Sequence, residues 1–441
     1  MTTFSLPLLT DLYQLTMLQA YAEERMNETA VFSLFVRRMP EQRNYLLACG
    51  LDEALSYIEG LRFDAEALAY LGSLGRFNDA FLEQLARFRF TGDVYAMAEG
   101  TPVFALEPMV EVVAPIAEAQ LLETFLMNQI HLQTVVASKA ARVVEAARGR
   151  TVIDFGLRRM HGIDAGLKAA RACYVAGVAA TSNVAAGQAY GLEVAGTMAH
   201  SYVQAHDDEL EAFRAFSRLY PDTVLLVDTY DTVEGVRKVV QLAREMGPSF
   251  RVSAIRLDSG DLAALAVASR RILDEGRLER VQIVASSSLN EYEIARLLDA
   301  GAPIDGFGVG TEMGVSRDVP TVDIVYKLVE YAGRGRVKLA PGKEVLPGRK
   351  QVFRVEQHGI ATHDVLAGHD EAIAGRPLLE PVMKGGVRLP AGRVTLPEVR
   401  RRAAREVAAL PPRVRHNEPA RPSYQVELSA GLTAAGQRLR R

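Results

Sequence analysis

The middle of the chain repeats one pattern: a short β-branched run, a polar or glycine-rich elbow, and then an amphipathic helix. Four such units begin at Thr151, Thr223, Arg251 and Val281, and a further β-rich run begins at Pro303. This alternation predicts parallel strands, because each helix returns the chain to the end of the sheet at which the next strand begins. Both an open doubly wound sheet and a βα barrel satisfy the pattern.

The two ends of the chain follow a different pattern. Residues 1–112 begin with a helix, for which Thr10 is a plausible N-cap, and continue into β-rich segments. Residues 331–441 contain short strands punctuated by Gly and Pro, then an arginine-rich helix and a basic tail. A chain of 441 residues exceeds the size of a single growing core. We therefore expect a βα-barrel domain at 113–330 and an α+β domain built from both ends.

Composition excludes several classes of function. A formal net charge of -3 favours neither nucleic acid nor a membrane surface as the main partner. The uncharged segment 172–192 contains Asn183, Gln188 and three glycines, so we interpret it as buried in a soluble domain rather than as a membrane span. The two cysteines, Cys49 and Cys173, are too few for a disulfide framework or a Cys-rich zinc site. They indicate a reducing, cytoplasmic location.

The stretch DFGLRRMHG, residues 154–162, lies where the first of these strands ends. It brings an acid, an aromatic ring and the adjacent Arg158 and Arg159 to one place. Phe155 would offer a flat surface beside a bidentate anion clamp, an arrangement that suits a planar anionic ligand. In the alternative, Phe155 belongs to the core and the arginines are solvated, and residue type alone does not separate the two.

The stretch AIRLDSGDL, residues 254–262, ends a second strand in Arg256 and Asp258. A carboxylate at this position could accept hydrogen bonds from a sugar diol or hold a metal ion. Ser259 and Asp261 are better explained as caps of the helix that follows.

The stretch GFGVGTEMG, residues 306–314, places Gly308 and Gly310 before Thr311. Glycine lets the backbone approach a ligand, and successive amides at a helix start attract anions, so phosphate is the expected guest. The spacing matches neither G-x-G-x-x-G nor a P-loop. At the neighbouring strand end, ASSSLNE adds three hydroxyls, including that of Ser287, which could bind phosphate or cap the next helix.

The stretch GTMAHSYVQAH holds two of the eight histidines of the chain, His200 and His206. They are six residues apart, not the four that align two zinc ligands on a helix, and H-E-x-x-H is absent. A neutral imidazole at a strand end can act as a base or a nucleophile. A purely structural histidine is the alternative.

Taken together, these motifs resemble the nicotinate phosphoribosyltransferases, the type II phosphoribosyltransferases of NAD salvage. The resemblance runs from LLTDLYQLTM through DFGLRRMHG, GTMAHSYV, LLVDTYDT, IRLDSGDL and GFGVGTEM to KLAPGKEVLPGRKQVFR, roughly residues 6 to 355. It implies an irregular, TIM-like α/β barrel with an α+β domain, and a homodimer whose active sites use both subunits. It also implies that nicotinate and phosphoribosyl pyrophosphate give nicotinate mononucleotide and pyrophosphate, with coupled hydrolysis of ATP.

The resemblance also implies roles for single residues. His200 would be transiently phosphorylated by ATP, which we expect to require small neighbours and no nearby carboxylate to repel the phosphoryl group. Arg256, with Arg158 nearby, would meet the carboxylate of nicotinate, and Asp258 would hold the ribose hydroxyls.

The remaining implied contacts complete the set of expected ligands. Tyr13 of a neighbouring subunit and Phe155 would sandwich the pyridine ring, which Thr197 would also contact. The 5-phosphate side of the donor would meet residues of the two glycine- and serine-rich strand ends, Ser287, Gly308, Gly310 and Thr311. Mg²⁺ is expected as a cofactor with pyrophosphate and ATP, although the sequence identifies no ligands for it.

Three other functions remain open. A nicotinamide-preferring relative would share the fold, but an amide calls for a hydrogen-bond acceptor, and the converging arginines favour a carboxylate. A quinolinate enzyme would not require the histidine motif. A barrel that binds NAD precursors without turnover would be expected to lack His200 or Asp258, and the chain has both.

Overall fold

A computed structural model describes residues 5–340, 342–343 and 345–439. Pro341 and Glu344, in the motif KLAPGKEVLPGRKQVFR, lie outside the described residues. The chain divides into two compact units, Met1–Ser138 with Thr321–Arg441, and Lys139–Pro320. The second unit is shorter at both ends than the barrel domain expected at 113–330. The reason is strand pairing, because Pro108–Pro115 and Ile324–Tyr331 both pair with Thr29–Val36 in the first unit.

The unit at 139–320, which is described throughout, is built on a sheet of six parallel strands. Their order across the sheet is Ala180–Thr181, Thr151–Asp154, Gly306–Val309, Gln282–Ala285, Ala254–Leu257 and Val224–Leu226. The earliest of these strands in the chain therefore pairs directly with the latest, and this pairing curls the sheet into a barrel-type arrangement. The expected βα barrel is confirmed, and the open doubly wound alternative is wrong.

The barrel strands are short, apolar and buried on both faces, as parallel strands covered by helices must be. Ile255, Ile283 and Phe307 have no exposed surface. Helices and helical turns follow the strands: Leu157–Arg159, Ile163–Val175, Val184–Tyr190, His200–Gln204, Glu209–Leu219, Thr232–Met246, Gly247–Ser249, Leu262–Glu275, Glu291–Asp299 and Thr311–Gly314. The segment 172–192 thus supplies a helix end, a strand and a second helix of this unit.

Capping side chains determine where several of these helices begin. Asp231 accepts a hydrogen bond from Glu234 N, and Asp261 accepts from Ala263 N and Ala264 N. The predicted cap at Asp261 is confirmed, whereas Ser259 is not a cap, because its hydroxyl donates to a carboxylate of the strand-end cluster described below.

The first unit is an α+β domain whose sheet takes strands from both ends of the chain. Within the described residues, one sheet has seven strands in the order Arg334–Gly335, Ile324–Tyr331, Thr29–Val36, Pro108–Pro115, Asp93–Met97, Leu379–Lys384 and Val387–Arg388. A second described sheet has four strands, Arg376–Pro377, Lys350–Gln357, Ile360–Gly368 and Gln425–Leu428. A short pair joins Leu46–Leu47 to Pro102–Val103. The expected assembly of this domain from both termini is confirmed.

The helices of this unit cover the sheets with apolar faces. They are Leu6–Leu8, Leu12–Glu23, Leu51–Gly60, Ala65–Ser73, Asp79–Ala86, Ile116–Leu121, Pro390–Gly392, Leu396–Ala408, Pro412–Arg415 and Ala430–Leu439, and the long helix Glu123–Ala146 crosses the unit boundary. The predicted N-cap at Thr10 is wrong, because the cap position of the first long helix is Asp11. None of the described helices has both the length and the apolar character needed to cross a membrane.

Candidate active site

Four barrel strands end at the same edge of the sheet and surround an open pocket of about 240 Å³. The predicted site residues that line it are Phe155, Arg158, Asp258, Ser287, Gly308, Gly310 and Thr311. The parallel topology explains why residues from 155 to 311 meet there, since every parallel strand presents its carboxyl end to the same edge. The alternation of strands and helices in the sequence was therefore sufficient to predict that these motifs meet.

Arg256 is largely buried beside the ring of Phe155, with its guanidinium carbon 6.0 Å from the ring centroid. Its two terminal nitrogens donate to Thr197 Oγ1 at 2.7 Å and to the Met198 carbonyl at 3.3 Å. Its Nε has no hydrogen-bond partner among the described residues. Burial lowers the pKa of Arg256, and the carboxylates of Asp258 and Asp228 act in the opposite direction. A buried donor without an acceptor, next to a flat ring, is suited to an aromatic anion.

Gly308 lies directly against Phe155. A Cβ added at Gly308 would fall 2.5 Å from Cε2 of that ring, and one at Gly310 would fall 3.1 Å from the Phe155 carbonyl oxygen. The sequence predicted that these glycines allow the backbone to approach a bound phosphate. They line the pocket, but the structure shows that Gly308 is also required by the position of the aromatic ring.

His200 is the first residue of the helix His200–Gln204, and its side chain is 39% exposed. Its Nδ1 lies 3.1 Å from Thr229 Oγ1, and its Nε2 lies 3.7 Å from Asp258 Oδ2. The expectation of no nearby carboxylate is therefore wrong. Asp258 is 58 positions further along the chain, so only the tertiary fold brings it to the imidazole. His206 instead packs against Tyr202 and contacts its carbonyl oxygen at 2.8 Å.

Asp258 is held from two sides by residues of neighbouring strand ends. Ser286 Oγ donates to Asp258 Oδ1, and the Asp258 amide donates to Asp228 Oδ2 at 2.9 Å. Ser259 Oγ donates to the same oxygen of Asp228 at 2.6 Å. Asp228 is buried, so it forms an internal anchor for the turn that carries Asp258.

Three other predicted residues lie in turns or at a helix start beside the pocket. Ser287 has a φ of 96°, a conformation that L side chains rarely adopt, and its side chain is exposed at the pocket. Thr311 is the first residue of the short helix Thr311–Gly314. Arg158 is exposed in the turn Leu157–Arg159.

Tyr13 belongs to the other unit and lies on the helix Leu12–Glu23 with 47% of its surface exposed. Partial burial and the carboxylate of Glu123 raise its pKa to about 12. Tyr13 therefore keeps its hydroxyl proton at neutral pH, and the ring is accessible.

Comparison with known proteins gives two matching family descriptions. The nicotinate phosphoribosyltransferase N-terminal domain matches residues 8–131, and the quinolinate phosphoribosyl transferase C-terminal domain matches residues 136–327. A nicotinate phosphoribosyltransferase of Mycobacterium tuberculosis is 54% identical over 433 residues, covering 98% of this chain and 94% of the relative. The chain belongs to the nicotinate phosphoribosyltransferase family.

Other members and solved structures agree with this assignment. A nicotinate phosphoribosyltransferase of Bacillus subtilis is 40% identical over 379 residues, covering 84% of this chain and 77% of the relative. The crystal structure of human nicotinic acid phosphoribosyltransferase superposes with a TM-score of 0.85 at 28% identity, covering 98% of this chain and 99% of that one. A nicotinate-nucleotide pyrophosphorylase from Pyrococcus furiosus, at 22% identity and a TM-score of 0.76, shares the fold.

In this member of the nicotinate phosphoribosyltransferase family, sequence reasoning missed one residue of the pocket, Arg317, and gave no individual role to several others. The latter stood only within the quoted motifs: Arg159, Ser286, Ser288, Leu289 and Glu312. The hydroxyls of Ser286 and Ser288 were counted with that of Ser287, which they flank at a strand end. Arg317 carries no such signal: it follows a short helix and reaches the pocket while paired with Glu312 at 3.0 Å.

The described residues contain no group of three or more His, Cys, Asp or Glu side chains arranged to hold a metal ion. The oxygen-rich lining of the pocket, with the carboxylate of Asp258 and the hydroxyls of Ser286 and Ser287, is nevertheless of the type that Mg²⁺ accepts when phosphate oxygens supply the remaining ligands.

Proposed function

We propose that this protein transfers the phosphoribosyl group of phosphoribosyl pyrophosphate to nicotinate, forming nicotinate mononucleotide and pyrophosphate in NAD salvage. The observation that carries the proposal is the position of Arg256 beside the ring of Phe155, which lines one pocket together with Asp258. The names of relatives up to 54% identical support the same reaction.

The buried cation and the ring would bind the two chemical features of nicotinate. The carboxylate would pair with Arg256 and with the hydroxyl of Thr197, which Arg256 already contacts. The pyridine ring would pack against Phe155, with Tyr13 of a partner subunit on its other face. This arrangement would leave the ring nitrogen free to face the ribose.

The transfer depends more on the orientation of nicotinate toward the anomeric carbon than on a general base. The nitrogen lone pair of nicotinate forms the bond to the anomeric carbon as the bond to pyrophosphate breaks, and pyrophosphate leaves with that electron pair. The anomeric carbon gains positive charge in between, and the carboxylate of Asp258, while it holds the ribose hydroxyls, would stabilise that charge. No proton is removed, because the nitrogen of nicotinate is unprotonated at neutral pH.

The leaving group would be bound by the polar residues around the pocket. Arg158, Arg159 and Arg317 supply positive charge, while Ser287, Gly308, Gly310 and Thr311 would contact the 5-phosphate side of the donor. Asp258 and phosphate oxygens would hold Mg²⁺, which when bound neutralises charge on pyrophosphate and ATP.

ATP would be coupled through His200. A lone pair of the imidazole forms a bond to the γ-phosphorus while the bond to the ADP oxygen breaks, and ADP leaves with that electron pair. Water later cleaves the phosphorus–nitrogen bond and releases orthophosphate. The partial exposure of His200 supports this role, because the γ-phosphate of ATP can reach an exposed imidazole.

A homodimer in the cytoplasm completes the proposal. The N-terminal segment exposes apolar side chains that a partner subunit could cover, Leu6, Leu9, Leu12 and Tyr13. The test is a mixture of Tyr13→Ala and Asp258→Asn protomers. If each site uses both subunits, the hybrid regains activity that neither variant has alone, whereas independent sites give no recovery.

The reaction itself is tested by measuring mononucleotide formation from nicotinate, nicotinamide or quinolinate, each with the phosphoribosyl donor and Mg²⁺, with and without ATP. Product from nicotinate, stimulated by ATP, is the expected result. Preference for nicotinamide would overturn the role of Arg256, and binding of nicotinate without turnover of any of the three would favour a non-catalytic barrel.

A further inference from the structure

We propose that Thr229 is a positioning residue that orients the imidazole of His200 for reaction with ATP. This inference rests on the proposed role of His200 as the phosphoryl acceptor. The carrying observation is the contact of 3.1 Å between Thr229 Oγ1 and His200 Nδ1, which joins two segments 29 positions apart.

Thr229 is itself held by fixed neighbours on both sides. It lies just beyond the strand Val224–Leu226, directly after Asp228, which is buried and accepts hydrogen bonds from the Asp258 amide and the Ser259 hydroxyl. Two positions later, Asp231 caps the helix Thr232–Met246. A residue between an anchored carboxylate and a capped helix has little freedom, so its hydroxyl provides a defined reference point for the imidazole.

His200 needs such a reference. It begins a helix of five residues and is partly exposed, so packing alone restrains its ring weakly. Without a partner at Nδ1, the side chain would be freer to rotate, and Nε2 would not be held toward Asp258. With Thr229 in place, Nε2 points toward Asp258, 3.7 Å away, and the imidazole stays next to the residue proposed to hold ribose. Thr229 therefore links the phosphorylation of His200 by ATP to the phosphoribosyl transfer beside Asp258.

The test compares three variants. Thr229→Val removes the hydroxyl at nearly constant volume, and Thr229→Ser restores it. Thr223→Val is the matched control: it makes the same change just before the opposite end of the same strand, away from the strand-end pocket. Each protein is assayed for phosphate incorporated from γ-labelled ATP, for mononucleotide formation with and without ATP, and for nicotinate binding.

Thr229→Val is expected to lower labelling and ATP stimulation about tenfold, the scale of one lost hydrogen bond at its upper range. The ATP-independent rate and the Kd for nicotinate should stay within about twofold. Thr229→Ser should recover labelling, and Thr223→Val should behave as the unaltered protein.

The outcomes separate this inference from the proposed function. If His200→Ala abolishes labelling but Thr229→Val labels normally, the positioning role is wrong and the acceptor role stands. If His200→Ala is still labelled, both are overturned. Equal loss of the ATP-independent rate and of labelling in Thr229→Val, without recovery in Thr229→Ser, would indicate a structural role only.

Discussion

The two units each contain a cluster of charged residues around an arginine, and the clusters differ in how completely they are closed. In the α+β unit, Arg354 is 1% exposed and makes a paired contact with the carboxylate of Asp364, at 3.0 and 2.7 Å. Tyr424 donates to the same carboxylate at 2.8 Å, and Glu107 lies buried nearby. Burial alone would lower the pKa of Arg354, but Asp364 reverses that effect and the pKa is raised.

The barrel cluster also contains an arginine and an aspartate, Arg256 and Asp258, in a more open arrangement. The side chains of His200 and Asp258 are 39% and 35% exposed, and His200 Nε2 lies 3.7 Å from Asp258 Oδ2. The pKa of Arg256 is lowered by burial, and the carboxylates of Asp258 and Asp228 act in the opposite direction without reversing this. An arginine paired with a buried carboxylate is closed to ligands, whereas an arginine without such a pair beside a pocket is available to a ligand.

The largest expected effect is on the closed cluster. Arg354→Met should lower the free energy of unfolding by about 3–5 kcal/mol, because it leaves the Asp364 carboxylate buried without its partner. Denaturant unfolding measures this change. Arg401→Met, which removes an exposed arginine of the helix Leu396–Ala408, is the control and should change stability by less than about 0.5 kcal/mol. Similar losses in both variants would remove the distinction between the clusters.

A substitution in the open cluster should weaken the binding of nicotinate and change the stability of the protein little. Arg256→Gln should raise the KM for nicotinate about ten- to hundredfold, since a hydrogen bond to a charged group is worth roughly 1.5–3 kcal/mol. Its Tm should change little compared with that of Arg354→Met. Steady-state kinetics and thermal unfolding of the same preparation provide the comparison. An unchanged KM would contradict a role for Arg256 in binding the carboxylate.

The smallest effect concerns the pH dependence of the closed cluster. Burial raises the pKa of Glu107 well above its ordinary value of 4.5, so the folded protein holds a proton that the unfolded chain releases. Stability from this group is complete below pH 4.5 and decreases as the pH rises, by up to about 1.4 kcal/mol per unit. Glu107→Gln should remove this component of the slope. If unfolding of the two proteins follows the same pH dependence, Glu107 is ionised in the fold.

Much of the barrel could be predicted from local patterns. The alternation of apolar strands and helices specified parallel pairing, and parallel pairing places every strand end at one edge of the sheet. For that reason Phe155, Asp258, Gly308 and Thr311 could be assigned to one site before any coordinates were considered. The helix cap at Asp261 followed from residue type alone.

Other features depended on contacts between distant segments. The interaction of Ser259 with Asp228 and the packing of Phe155 on Gly308 require knowing which strands are neighbours. The approach of Asp258 to His200 depends on how the segment after the strand Ala180–Thr181 folds. The domain boundaries shifted because the strands at 108–115 and 324–331 both pair with the strand at 29–36.

The sequence by itself thus determined the family, the βα-barrel class and the set of strand-end motifs, because these depend on periodicity and on residues close together in the chain. The tertiary structure decided which side chains share hydrogen bonds, which arginine is closed off and which remains open to a ligand. Those outcomes depend on strand order and burial, and neither is encoded in the spacing of any single motif.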